Sequence, residues 1–135
     1  MTELMNEPSP SDQNRADLRA VLAKHPDLTK SGFDRWFPLS GPPDHQAEIV
    51  AGQAAFLEAG GVAEFGRARH WLTGRARGPR MNRRRSSYGW KYVASRAEGG
   101  YVSNGALIAA ALCDGVAVKR IVGSHNALLG IGGAA

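Results

Sequence analysis

Cysteine is nearly absent from this sequence, with Cys113 its sole example. No disulfide can close within the chain, so cross-links cannot stand in for a hydrophobic core. A reducing cytoplasm is the compartment such a composition fits. Long apolar runs are missing too: no stretch reaches the roughly 18 apolar residues of a membrane span. The opening MTELMNEPSPSDQ is polar and acidic, so it does not read as a secretory signal.

The groupings that carry most enzyme chemistry are also lacking. His25, His45, His70 and His125 share no metal-ligand spacing, and Cys113 has no cysteine partner, so no metal site is expected. Asp44, Glu58 and Glu64 are separated, whereas a metal-dependent nuclease needs clustered acids. No phosphate-binding GxxxxGK[ST] and no strand-linked GxGxxG occurs. Ser124 and His125 are neighbours in sequence, but a nucleophile needs its base in space, and a tight turn takes Gly-Ser-His-Asn for conformational reasons alone. The expectation is a non-catalytic protein without a cofactor.

What is there is charge, unevenly placed. Residues 1–64 hold five lysines and arginines against ten acids. Residues 65–135 reverse this, with twelve against two. Within 67–97 lie ten basic residues and no acid up to Ala97, and nine of the ten are arginine. Charge this dense repels itself and persists more easily beside a polyanion or an acidic protein surface. Arginine's planar fork of donors suits phosphate, and its weak hydration lowers the cost of contact.

The hydrophobic pattern predicts a mainly α protein. It reads as a small single-domain bundle of four to five helices, in residues 11–135, behind a disordered tail at 1–10. Ser11 or Asp12 opens a helix to about Lys24, with Leu18, Val21 and Leu22 as its apolar stripe. Phe33, Trp36 and Phe37 suggest a short aromatic helix or turn before the Gly41-Pro42-Pro43 break. A second helix runs from Pro43 or Asp44 to about Ala59, where Gly60-Gly61 breaks it. A third spans about 62–73. Residues 74–86, GRARGPRMNRRRS, write no regular element and read as an exposed basic loop or arm, taken as 74–87. Ser86 or Ser87 caps a helix at about 88–97, and Gly99-Gly100 stops it. Ser103 or Asn104 caps a last helix, 105–113, that is apolar all round and so belongs inside. The β-branched ending, with its Gly-Ser-His-Asn turn, suggests a C-terminal β-hairpin.

Arg67 and Arg69 fall near a helix C-terminus, where cations are favoured, so they have a structural excuse. The arm arginines have none. The candidate nucleic-acid contacts are Arg75, Arg77, Arg80, Arg83, Arg84 and Arg85, with Ser86, Ser87, Tyr88 and Lys91 at the following helix start. Guanidinium groups there neutralise phosphates and release counterions. The helix start supplies backbone N–H groups, the two serines supply hydroxyls, and an aromatic ring could stack on a base. Trp90 and Tyr92 have the bland alternative of belonging to the core. A helix-turn-helix reading of 88–97 and 105–113 fails, because GALIAAALC offers no polar side chain to base edges. Arg83-Arg84-Arg85-Ser86 also resembles a basophilic kinase target, where phosphate would cancel local positive charge.

The stretch 82–111, NRRRSSYGWKYVASRAEGGYVSNGALIAAA, resembles a segment of small proteins from bacterial plasmids, phages and other mobile elements. The resemblance rests on the basic run, the Ser-Ser-Tyr-Gly-Trp-Lys and the Tyr-Val-Ser-Asn-Gly before an alanine-rich helix. It implies a bacterial, cytoplasmic protein and brings no activity with it. The expected partner is nucleic acid, duplex DNA ahead of RNA, with modest sequence preference. The alternative is an inhibitor or adaptor whose arm grips an acidic protein.

Overall fold

The computed structural model describes residues 9–35 and 43–132. Among them are five helices: α1 (Pro10–Lys24), α2 (Pro43–Phe56), α3 (Ala59–Thr73), α4 (Ser87–Glu98) and α5 (Asn104–Cys113). Three strands complete the described residues: β1 (Arg77–Asn82), β2 (Val118–Arg120) and β3 (Ala127–Ile131). The protein is therefore mainly α, as the periodicity predicts. Most of the tail, and Trp36 and Phe37 of the aromatic segment, lie outside the described residues.

The start of α1 has a local cause. Ser9 caps α1 by accepting from the Asp12 amide at 3.1 Å, with Pro10 following in the first turn, where its missing N–H costs nothing. Leu18, Val21 and Leu22 turn inward as the stripe predicts. The carbonyls at the far end of α1 are met by one side chain of α2. Gln53 Nε2 donates to the His25 oxygen at 2.9 Å and to the Leu28 oxygen at 3.0 Å. Gly60 and Gly61 do not break a helix; they lie inside the first turn of α3, and the chain turns at Leu57-Glu58 instead. The reason is a close approach, since a Cβ on Gly61 would meet the Phe56 carbonyl oxygen at 2.0 Å.

Helix α5 is the centre of the molecule, with Asn104 to Ala111 buried on every side. Helices α1, α3 and α4 and strand β2 pack around it. Leu18, Phe65, Leu72, Trp90, Leu107 and Leu129 contribute to one continuous core. The all-round apolar character of GALIAAALC is thus satisfied by burial.

The C-terminal hairpin is present: β2 and β3 pair antiparallel, with Val118 opposite Leu129 and Arg120 opposite Ala127. The basic arm departs from expectation. Arg77–Asn82 is a strand, not a loop, and it pairs antiparallel with β3 to give the order β1-β3-β2. RGPRMN shows neither apolar alternation nor β-branching, and its glycine and proline read as loop. It pairs because it is an edge strand, where a missing proline N–H can face away from the ladder. The pairing is irregular. Arg77 opposes Ile131 and Asn82 opposes Leu129, so the segment between them bulges outward.

Candidate nucleic-acid interface

The ten basic residues of 67–97 divide by what they touch. Arg69 is structural. Its guanidinium donates to both Asp114 carboxylate oxygens, at 3.1 and 2.8 Å, and to Asp17 at 2.7 Å. Hydrogen bonding to Asp114, opposed by burial and helped by Asp17, holds it above the ordinary arginine range. Arg67 donates to the Tyr101 carbonyl at 2.8 Å. Both have a structural role, yet its source is tertiary pairing rather than the end of their own helix. Arg75 lies with its guanidinium 4.4 Å from the Trp71 ring centre. Arg77 reaches from β1 to the Asp114 carbonyl, at the negative end of α5. Arg85 sits over the buried Trp90, 5.4 Å from its ring centre.

Of the five others, Arg80, Arg83 and Arg84 lie together in sequence on β1 and the turn that follows it. Their side chains are exposed and, among the described residues, make no ion pair or hydrogen bond. Arg80 stands on the bulged part of β1. Arg83 and Arg84 occupy the turn into α4, which is shaped by Asn82: its Oδ1 accepts from the Arg84 amide at 3.0 Å, and its Nδ2 donates to the Ile131 carbonyl at 3.0 Å. Arg96 is exposed at the far end of α4.

The start of α4 follows directly. Ser86 is its N-cap, and no side chain caps the first turn. Its leading amides and the positive end of the helix dipole therefore adjoin Arg83 and Arg84, a combination that attracts phosphate. Ser87 is fully buried instead of facing outward, and its Oγ accepts from the Ala127 amide at 2.9 Å. That bond ties α4 to the head of β3 and fixes the turn. Trp90 belongs to the core, 1% exposed. Tyr92 does not: half of it is exposed, and its hydroxyl donates to that of Tyr88 at 3.0 Å, raising its pKa.

Lys91 is placed unexpectedly. It is only 8% exposed, and its ammonium donates to the Tyr101 hydroxyl at 3.1 Å. The rings of Tyr88, Tyr92 and Tyr101 surround it, with centres at 4.6, 4.9 and 5.2 Å. Sequence reasoning missed this shell because Tyr101 follows the helix, whereas Tyr88 and Tyr92 are spaced i, i+4 around it. It also missed an open cleft beside α4 whose walls include residues 30–35 and 123–126.

No group of three His, Cys, Asp or Glu among the described residues could hold a metal ion. No described helix is long and apolar enough to cross a membrane. Burial raises the Cys113 thiol pKa, ahead of an opposing effect from Arg69, so the sulfur is held as the less reactive thiol. Comparison with protein-family models, with curated proteins and with solved structures finds no match for this chain.

Proposed function

We propose that this chain is a non-catalytic nucleic-acid-binding protein that grips the phosphates of duplex DNA through the bulge of β1 and the turn into α4. The observation that carries the reading is that Arg80, Arg83 and Arg84 are exposed and, among the described residues, unpaired, next to a helix start with no side-chain cap. Internal contacts account for Arg67, Arg69 and Arg77, and none among the described residues accounts for these three. Cations held in a fixed strand and turn cost less ordering entropy on binding than those of a mobile arm. The bulge and the turn offer no row of polar groups to read base edges, so affinity should depend little on sequence. A cytoplasmic, mobile-element setting suits the lone thiol and the resemblance of 82–111.

The test replaces Arg80, Arg83 and Arg84 together by alanine and measures binding to a short duplex at low salt. Each lost charged contact is worth about 1.5–3 kcal/mol, so loss of all three should lower affinity by about a thousandfold or more while thermal stability is unchanged. Equal binding by the variant would contradict the reading. Absence of any duplex binding by the wild type would favour an acidic protein surface as the partner of the same charges.

A further inference from the structure

Next to the arginine turn the chain folds an open cleft of about 690 Å³. Four separated segments contribute to its wall: Lys30, Ser31 and Arg35; Tyr88 and Lys91 of α4; Tyr101, Ser103 and Asn104 at the entry to α5; and the turn 123–126. Lys30, Arg35, Lys91 and His125 line it, and no aspartate or glutamate does. The four cationic or titratable groups are not equivalent. Lys30 is neutralised by Glu64 at 2.9 Å, and the other oxygen of that carboxylate accepts from the Ser103 amide. His125 Nδ1 donates to the Phe33 carbonyl at 2.7 Å, so this nitrogen carries a proton and the ring is held in place at the cleft.

Lys91 is a cation buried in this wall. More than nine-tenths of it is buried, and among the described residues no carboxylate meets it. Three tyrosine ring faces and one hydroxyl attract its charge but do not cancel it. A second polar group at this wall is also incompletely met. Asn104 is 4% exposed, and its Nδ2 serves the Ser31 carbonyl at 2.9 Å and Asn126 Oδ1 at 3.0 Å, while its own Oδ1 is buried with no donor. The head of α5 does not itself supply the attraction, because its amides are taken: Gly105 donates to the Lys30 carbonyl and Ala106 to the Ser103 hydroxyl. Attraction for an anion therefore comes from side chains, Lys91 foremost.

Tyr88 and Tyr101 share the same cleft and are each about half exposed, 47% and 54%. An accessible aromatic ring beside an uncompensated cation is a combination that accepts a flat heterocycle next to a phosphate. We propose that the cleft binds a nucleotide, its phosphate drawn to Lys91 and its base laid on Tyr88 or Tyr101. The cleft volume suits a ligand of that size. This site stands whether or not the arm grips duplex DNA. A free mononucleotide and an unpaired nucleotide of a single strand present the same chemistry, and the probes below separate them.

The experiment uses the full chain and follows NMR signals of Tyr88, Tyr101 and His125 during titration. The probes are adenosine 5′-monophosphate, adenosine, inorganic phosphate and a short single-stranded oligodeoxyadenylate. The nucleotide should shift those signals saturably, and adenosine and phosphate alone should each bind at least about tenfold more weakly. Shifts from the oligonucleotide but not the monophosphate would support the site and assign it to a strand. Lys91→Met should weaken binding about tenfold or more, and Lys91→Arg should restore much of it. If Lys91→Met does not fold, the wild-type titration still decides. Replacing Arg80, Arg83 and Arg84 by alanine should leave mononucleotide binding unchanged, which separates this site from the duplex-binding surface. The proposal is overturned if neither nucleotide probe moves these signals, or if inorganic phosphate binds as tightly as the nucleotide.

Discussion

Arginines that look alike in the sequence do opposite jobs in the fold. Arg69 joins Asp17 of α1 to Asp114 at the end of α5, and the three side chains are 27%, 28% and 18% exposed. Replacing it with methionine strands two carboxylates, so Arg69→Met should cost about 3 kcal/mol in urea unfolding. The same change at Arg84, which has no partner among the described residues, should cost less than about 0.5 kcal/mol. The sequence placed both in one basic segment, because partners 45 and 52 residues away leave no local trace. A second residue-scale prediction concerns His25. Burial, ahead of the raising effect of Asp27 and the lowering effects of Arg120 and Lys24, puts its pKa below the ordinary 6.5. The unfolded chain then takes up the proton at higher pH than the folded one. Well above 6.5 the residue makes no difference, and as pH falls below it stability is lost until the folded imidazole also titrates. The stability of the wild type relative to His25→Gln should therefore decline on acidification from about pH 7.5 to about 5.5, measured by urea unfolding at each pH.

At the scale of elements, the helices were legible and the strand β1 was not. Leu18, Val21 and Leu22 announce α1 by spacing, and the apolar run of α5 announces its own burial. RGPRMN announces nothing, because an edge strand with a bulge needs no alternation and tolerates proline. Arginine and proline there also discourage another chain from pairing with the open edge. Gly60-Gly61 misled for a related reason: a glycine that permits close packing looks the same in sequence as one that ends a helix. Gly105 is the sharpest such contact, since a Cβ there would lie 1.8 Å from the Thr29 carbonyl oxygen. Its amide donates to the Lys30 carbonyl at 2.8 Å, which pins the 29–32 turn to α5. Gly105→Ala should destabilise the fold by about 3 kcal/mol in thermal or urea unfolding.

At the scale of the whole molecule, charge and core are separated. One continuous core is organised around α5, and β1 with the following turn carries cations on its outer side. The basic segment was visible in the sequence because charge density needs no partner to be seen. The cleft was not, because residues from 30 to 126 meet only when α4, α5 and the β2–β3 turn pack together. The central claim is that the cations of β1 and the turn replace counterions on duplex DNA. Each phosphate neutralised contributes about 0.9 to the slope of log affinity against log salt. The direct measurement is that slope on a short duplex, for the wild type and for the variant with Arg80, Arg83 and Arg84 replaced by alanine. The account predicts a steep wild-type slope that becomes shallower by about 2–3 in the variant. Equal slopes for the two proteins would contradict it.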